Sequence, residues 1–371
     1  MAKQKTVDFE TLIGTTTQSA LDFANGWRNV NIANARDTQA QQLAEYFINF
    51  HTNLIGAPNF SGIIEPSAWL ANERALQLAR DSTQRSKVVC SNLTHISIKE
   101  ACDKLGLDTI VVDADPFNNY QVEEKELLQA ISGKEGDIAA IVSTHGTTQL
   151  GNVENIEKFR IVKELREKGT WLHIDAAFGG VLTQVSYLRK SPIMESDSVT
   201  IDPYKFLGAS GSALLLAPQQ KLNSKDIPYY SHSKFTRYST LDASPIAVWY
   251  KSVQDIGLKN GMSELADECV QQASRFTERL TEHNIPLIRN PATIIVPIKT
   301  ESRQETEQLR DYLHDKGYNV GRVVIEGNDY QTNGVRVACT PRQWIFRGIG
   351  GLQGLQREII KYHDSKKLRA A

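Results

Sequence analysis

Two ionisable residues close apolar runs at a spacing that could assemble a reactive site. The run Trp171-Leu-His-Ile ends in Asp175, ahead of Ala-Ala-Phe-Gly-Gly180, and thirty positions on Ser198-Val-Thr-Ile leads into Asp202-Pro-Tyr-Lys205. Short apolar runs bounded by turn-forming residues are the pattern of buried strands. In an open α/β sheet ligands sit at the carboxyl ends of the strands, so this carboxylate and this amine are expected at one cleft. An amine can condense with an aldehyde, and a carboxylate beside a pyridine nitrogen favours its protonated state. That pairing is the minimal equipment of a pyridoxal 5'-phosphate site, with Lys205 carrying the cofactor and Asp175 making its ring an electron sink. Taken singly, each residue has a plainer reading: Asp175 as a strand-end carboxylate capping a turn, Lys205 as a solvated lysine.

Four segments, Thr94-His-Ile-Ser-Ile-Lys-Glu-Ala101, Thr144-His-Gly-Thr-Thr-Gln-Leu-Gly151, His173-Ile-Asp-Ala-Ala-Phe-Gly-Gly180 and Asp202-Pro-Tyr-Lys205, carry a resemblance. In order and spacing they are similar to the group II pyridoxal phosphate-dependent decarboxylases, the family of the glutamate and aromatic amino-acid decarboxylases. The similarity runs from about Tyr46 to Trp249. It implies an α/β protein of the aspartate-aminotransferase-like fold (fold type I), with a mostly parallel sheet in a large domain and a small C-terminal α+β domain. It also implies that His95 stacks on one face of the pyridine ring and Ala177 packs on the other; without the flanking residues His95 reads as a core histidine. Thr148 falls where the family places a hydroxyl near the cofactor, although a turn threonine at a strand end is an equal reading.

The phosphate requires backbone N–H groups at a helix start and a few hydroxyls. The matching stretch is Ile64-Glu-Pro-Ser-Ala-Trp-Leu-Ala-Asn72, so Ser67, Ala68 and Trp69 are the expected cradle. Pro66 and Trp69 stand where the family has small residues. Tyr204 replaces the usual histidine before the lysine and still offers a hydroxyl to a phosphate oxygen, while Asp202 opens the same motif. Glu154 stands where the family prefers aspartate. A planar guanidinium suits a substrate carboxylate, and Arg336 is expected to supply it, with Arg342 as the nearby rival. Tyr229, Tyr230 and His232 lie on an expected lid and could return a proton.

The resemblance implies α-decarboxylation of an L-amino acid by a homodimer whose site lies at the subunit interface, with Tyr238-Ser-Thr240 reaching a neighbour's phosphate. Other lyase reactions of the same cofactor (aldehyde-lyase, carbon-sulfur lyase), decarboxylation-linked transamination, or a non-catalytic role use the same residues. Other partners are disfavoured by charge: 42 Lys and Arg against 43 Asp and Glu leave a net charge of -1, with nothing to draw the chain to nucleic acid or an anionic membrane. Cys90, Cys102, Cys269 and Cys339 lie too far apart for a Cys-x-x-Cys site and read as free thiols. No His-Glu-x-x-His pair suggests a metal, and Gly208-Ala-Ser-Gly-Ser lacks a hydrolase context. The opening residues show no apolar leader, which together with the thiols points to the cytoplasm.

The elements that must position these groups follow from hydrophobic periodicity. The spacing predicts helices over 38–50, with Thr38 as cap, and from about Pro66 to Arg80. Strands are expected at 87–90, 109–113, 139–143, 171–175, 198–202 and 212–217, most of them separated by helices, hence a largely parallel covered sheet. A helix from about Met262 to His283, a strand at 292–299, a helix at 305–316, a strand at 334–339 and a helix near 351–362 form a compact second unit. The expected organisation is an arm at 1–37, a cofactor-binding domain at 38–255 and a small domain at 256–371.

Overall fold

A computed structural model describes residues 7–9, 18–34, 36–184, 193–207, 211–222, 235–238, 240–340 and 351–370. The chain opens with a short strand, β1 (Val7–Phe9), and a two-turn helix, α1 (Gln18–Ala24), whose Phe23 ring lies 6.2 Å from that of Tyr250. Helix α2 (Thr38–Leu54) follows, and its cap is Asp37, whose carboxylate accepts from the Ala40 amide at 3.0 Å. Thr38 is already inside the first turn, because the longer reach of the preceding carboxylate captures the free amide.

Seven strands form the main sheet: β2 (Phe60–Glu65), β3 (Lys87–Ser91), β4 (Asp108–Val112), β5 (Ile138–Thr144), β6 (Trp171–Asp175), β7 (Ser198–Ile201) and β8 (Ala213–Pro218). Their order is β2-β8-β7-β6-β5-β3-β4. The pairs from β4 to β7 are parallel, and β8 runs antiparallel to both β7 and β2. β5 and β6 are buried along their whole length, as expected of strands covered on both faces. Every strand expected in this region is present, and β2 is added. Its Ser61-Gly62 breaks the apolar run, and the structure gives the reason: a Cβ at position 62 would lie 2.9 Å from the Ile48 side chain, so the glycine lets α2 settle onto the sheet.

The second sheet contains β9 (Ile295–Thr300), β10 (Tyr318–Glu326) and β11 (Gln331–Ala338) in the order β1-β10-β11-β9. β1 joins it in parallel with β10, pairing Val7 with Tyr318. Helices Leu258–Glu282, Arg303–Asp315 and Gly351–Ala370 cover the expected helical patterns of this region, and β10 is a strand the periodicity did not reveal. A continuous apolar core joins residues of both sheets, from Phe47 and Ile141 to Val296 and Val335. All four cysteines are buried free thiols. Among the described residues no helix is long and apolar enough to cross a membrane.

Candidate active site

The register of the main sheet brings the polar strand ends together. Asp175 of β6 pairs with Thr200 of β7 and with Thr144 of β5, and the chain beyond each strand turns back over the same edge. The Ala177 carbonyl accepts from the Asp202 amide at 3.1 Å, and the Asp202 carbonyl in turn accepts from the Lys205 amide at 3.1 Å. Lys205 therefore starts its short helix (Tyr204–Leu207) against the loop that follows Asp175. Behind it, the fully buried Phe206 anchors the turn.

Asp175 is only 3% exposed, and its two oxygens face neutral donors. Oδ1 accepts from the Ala177 amide at 3.1 Å and Oδ2 from the Asn72 side-chain amide at 3.0 Å. A carboxylate has about four acceptor positions, so two bonds leave capacity for a further N–H donor such as a protonated ring nitrogen. Among the described residues no Lys, Arg or His nitrogen lies within ion-pair distance of it. A buried anion held only by neutral donors suits a cationic ring, and the donor set fits pyridoxal phosphate.

His95 caps helix α4 (Ile96–Leu105) with its own ring: Nδ1 accepts from the Ser97 amide at 3.2 Å and lies 2.9 Å from the Ser97 hydroxyl. Burial lowers its pKa, and the positive charges of Lys205 and Arg336 lower it further, while Asp175 opposes them. The imidazole thus feels the lysine, the aspartate and the arginine at once, although they come from three separate parts of the chain. Asp202 is raised by burial, with the Lys205 ammonium countering.

Helix α3 (Ala68–Thr83) begins beside this edge. Ser67 caps it, its hydroxyl accepting from the Leu70 amide at 3.3 Å, which leaves the first-turn amides of Ala68 and Trp69 free of intrahelical partners. Ala68, Ala177 and Ala213 touch one another in a small buried cluster, so the helix start abuts the loop after Asp175. Trp69 sets its ring edge-on to His95, with centroids 5.8 Å apart at 89°. The bulky residue at a position where small ones were expected therefore braces the imidazole. Glu65, just before this helix, is fully buried beside Arg237 at 3.0 Å, and burial raises its pKa to about 7 against the pull of that guanidinium. The Tyr238 hydroxyl also interacts with Glu65 of its own chain.

Thr148 lies in a turn set by Gly146, whose φ of +96° and approach to Phe178 and Gly179 exclude a side chain. The Thr148 carbonyl accepts from Arg336 Nη1 at 2.8 Å, which brings β11 of the second sheet to the cluster. All the described site residues named from the sequence thus gather at one edge: Lys205, Asp175, His95, Ala177, Thr148, Ser67, Ala68, Trp69, Asp202, Tyr204 and Arg336. Tyr229, Tyr230, His232, Arg342 and Ser239 lie outside the described residues.

Asn72, Ser97, His173 and Ser198 escaped the sequence reading as site residues. His173 is fully buried, and burial lowers its pKa to about 4. Its Nδ1 meets the Ser198 hydroxyl at 2.9 Å and its Nε2 meets Asn72 Oδ1 at 3.1 Å. The available signal was Asn72 itself, a polar residue on the apolar stripe Ala68, Ala71, Ala75, Ala79.

Comparison with known proteins gives the family of the chain. The L-tyrosine/L-aspartate decarboxylase of Methanocaldococcus jannaschii is 26% identical over 246 residues, 62% of this chain and 60% of that protein, so the match spans about three fifths of the relative's length. The human cysteine sulfinic acid decarboxylase is 34% identical over 189 residues, 46% of this chain and 38% of that one. A solved glutamate decarboxylase of Lactobacillus brevis superposes with a TM-score of 0.78 at 16% identity, covering 97% of this chain and 89% of its own, and shares the fold. The sequence model of the pyridoxal-dependent decarboxylase conserved domain matches residues 70–284, more than half of the chain and the stretch that holds Asn72, His95, Asp175 and Lys205. The chain belongs to the pyridoxal-dependent decarboxylase family.

Proposed function

We propose that this protein decarboxylates an L-amino acid to the corresponding amine and carbon dioxide, as a cytoplasmic homodimer with pyridoxal phosphate on Lys205. The observation that carries the reading is the meeting of Asp175, Lys205 and Arg336 around His95, each contributing to the charge environment of that imidazole. Pyridoxal phosphate, when bound, supplies an electron-poor ring that accepts the electron pair left when the bond from Cα to the carboxylate breaks. Asp175 would accept the ring N–H with its remaining lone pairs and favour the protonated ring. His95 would cover one face of the ring and Ala177 the other. The amides of Ala68 and Trp69, with the Ser67 hydroxyl, form the anion cradle at the start of α3, and Tyr204 adds a hydroxyl. Arg336 would hold the substrate carboxylate, and the Lys205 amine would serve as a base and proton donor near the reacting carbon. The domain division at about 38, 255 and 371 remains part of this proposal.

Relatives named for tyrosine, aspartate and cysteine sulfinate make these the first substrates to try. The test incubates purified protein with added cofactor, records the absorbance band of the lysine-bound form, and measures carbon dioxide and amine from each amino acid. Equal yields of carbon dioxide and amine are expected from one of them, and the band is expected to vanish in Lys205→Ala. A colourless protein, or turnover giving aldehyde or keto acid without amine, refutes the reading.

A further inference from the structure

Beside Asp175 and His95 runs a buried chain of polar groups that the proposed reaction does not use. It begins at Trp171, whose ring N–H donates to Ser198 Oγ at 2.8 Å, and passes through Ser198 and His173 to Asn72. From Asn72 it divides. Nδ2 donates to Asp175 Oδ2 at 3.0 Å and to Ser97 Oγ at 3.1 Å, and Ser97 meets His95 Nδ1 at 2.9 Å. Asn72 is 1% exposed, and Ser97, His173 and Ser198 are fully buried.

With both rings neutral, donor and acceptor chemistry gives one arrangement that satisfies every contact in this chain. A carboxylate only accepts, so the atom of Asn72 facing Asp175 is the NH2 group, and Oδ1 faces His173. Oδ1 only accepts, so His173 carries its proton on Nε2 and takes the Ser198 hydroxyl hydrogen on Nδ1. At the other end a backbone N–H only donates, so His95 Nδ1, facing the Ser97 amide, is bare. The neutral His95 ring therefore holds its hydrogen on Nε2. Ser97, having accepted from Asn72, donates its own hydrogen to His95.

We propose that Asn72 is the positioning residue of this site, a single amide that orients the Asp175 carboxylate with one hydrogen and, through Ser97, fixes the tautomer of His95 with the other. A residue that only joined α3 to the sheet would not need one amide hydrogen aimed at Asp175 and the other at the Ser97 hydroxyl that meets His95. With both rings neutral this arrangement serves all seven groups, so a change at Asn72 alters the carboxylate and the imidazole together. The role in holding the cofactor rests on the function proposed above; the hydrogen pattern does not.

Two measurements on the full chain separate these. In cofactor-free protein labelled with 15N-histidine, the ring resonances of His95 and His173, assigned by their loss in His95→Asn and His173→Asn, are expected to show bare Nδ1 and protonated Nε2, with the His173 N–H in slow exchange. Nδ1–H on either ring overturns the proposal, and this holds even if no variant folds. Asn72→Asp, nearly the same shape, replaces the two donated hydrogens by a second anion. It is expected to move the His95 ring resonances and raise their titration midpoint by about one pH unit, and to weaken pyridoxal phosphate binding roughly tenfold or more. A folded Asn72→Asp protein with His95 resonances and titration as in the wild type overturns the proposal. Wild-type protein that shows the expected tautomers but binds no pyridoxal phosphate refutes the proposed function and leaves the hydrogen pattern standing.

Discussion

Replacing Glu154 by glutamine is expected to make the loss of stability between pH 5 and pH 8.5 smaller by about 2.5 kcal/mol. Glu154 is 1% exposed and sits behind β5 with one oxygen on the Thr144 amide at 2.7 Å and the other on the Ser91 hydroxyl. Burial raises its pKa from the 4.5 of a free glutamate to about 7, against the pull of those two hydrogen bonds, and the nearby Glu157 and Asp175 charges push it the same way. The folded state thus binds the proton more tightly than the unfolded chain. Its contribution is whole below pH 4.5, falls as pH rises towards 7, and is flat above. At about 1.4 kcal/mol for each tenfold change in proton affinity, the full difference is about 3 kcal/mol, most of it between pH 5 and 8.5. Glutamine copies the neutral acid: its oxygen accepts from Thr144 and its NH2 donates to Ser91, whose own hydrogen can turn to the Thr94 hydroxyl 3.4 Å away. Glu65, also raised to about 7 by burial, is present in both proteins and cancels in the difference. Urea unfolding of wild type and Glu154→Gln at the two pH values measures the effect. Equal losses in the two proteins would refute the reasoning, because the carboxyl would then be ionised in the fold at no cost.

Three further substitutions probe the site. Gly146→Ala forces a side chain onto a φ of +96° and brings its methyl within 2.9 Å of the Gly179 nitrogen, so a loss of about 3 kcal/mol in urea unfolding is expected, with Thr148 and Arg336 displaced. Asp175→Asn keeps the volume but loses the anion: cofactor absorbance at Lys205 should persist while carbon dioxide release falls roughly a hundredfold or more. Arg336→Lys keeps a charge and loses the two-pronged fork, so KM for the amino acid is expected to rise about tenfold with little change in cofactor affinity, read from steady-state rates and absorbance titration.

The polar residues at strand ends were legible because their position follows from strand periodicity alone: once Trp171–Asp175 and Ser198–Ile201 are parallel neighbours, Asp175 and Lys205 must share an edge. The helix expected from about Pro66 is present from Ala68, and the structure adds that the Ser67 hydroxyl caps it. Asn72 was not. Its partners Asp175, Ser97 and His173 sit on three other stretches of chain, and only packing α3 against α4 and β6 brings them within reach. β2 and β10 were hidden for a different reason, since glycines at 62 and 321 interrupt the apolar pattern where another element packs close; a Cβ at 321 would lie 2.7 Å from Arg336 Nε. The cap of α2 was assigned to Thr38 in place of Asp37, because two adjacent residues of good capping type look alike until backbone angles are known.

The pairing of Val7–Phe9 with Tyr318–Val320 ties together segments roughly three hundred residues apart. During synthesis β1 has no partner until β10, about three hundred residues later, has left the ribosome, so the small sheet cannot close early. The intervening main sheet can assemble first, and the second sheet then completes itself by capturing a segment that has been waiting in solution. Arg336 comes from the neighbouring strand of that sheet, so the guanidinium reaches the cluster only after every strand of the main sheet has been made.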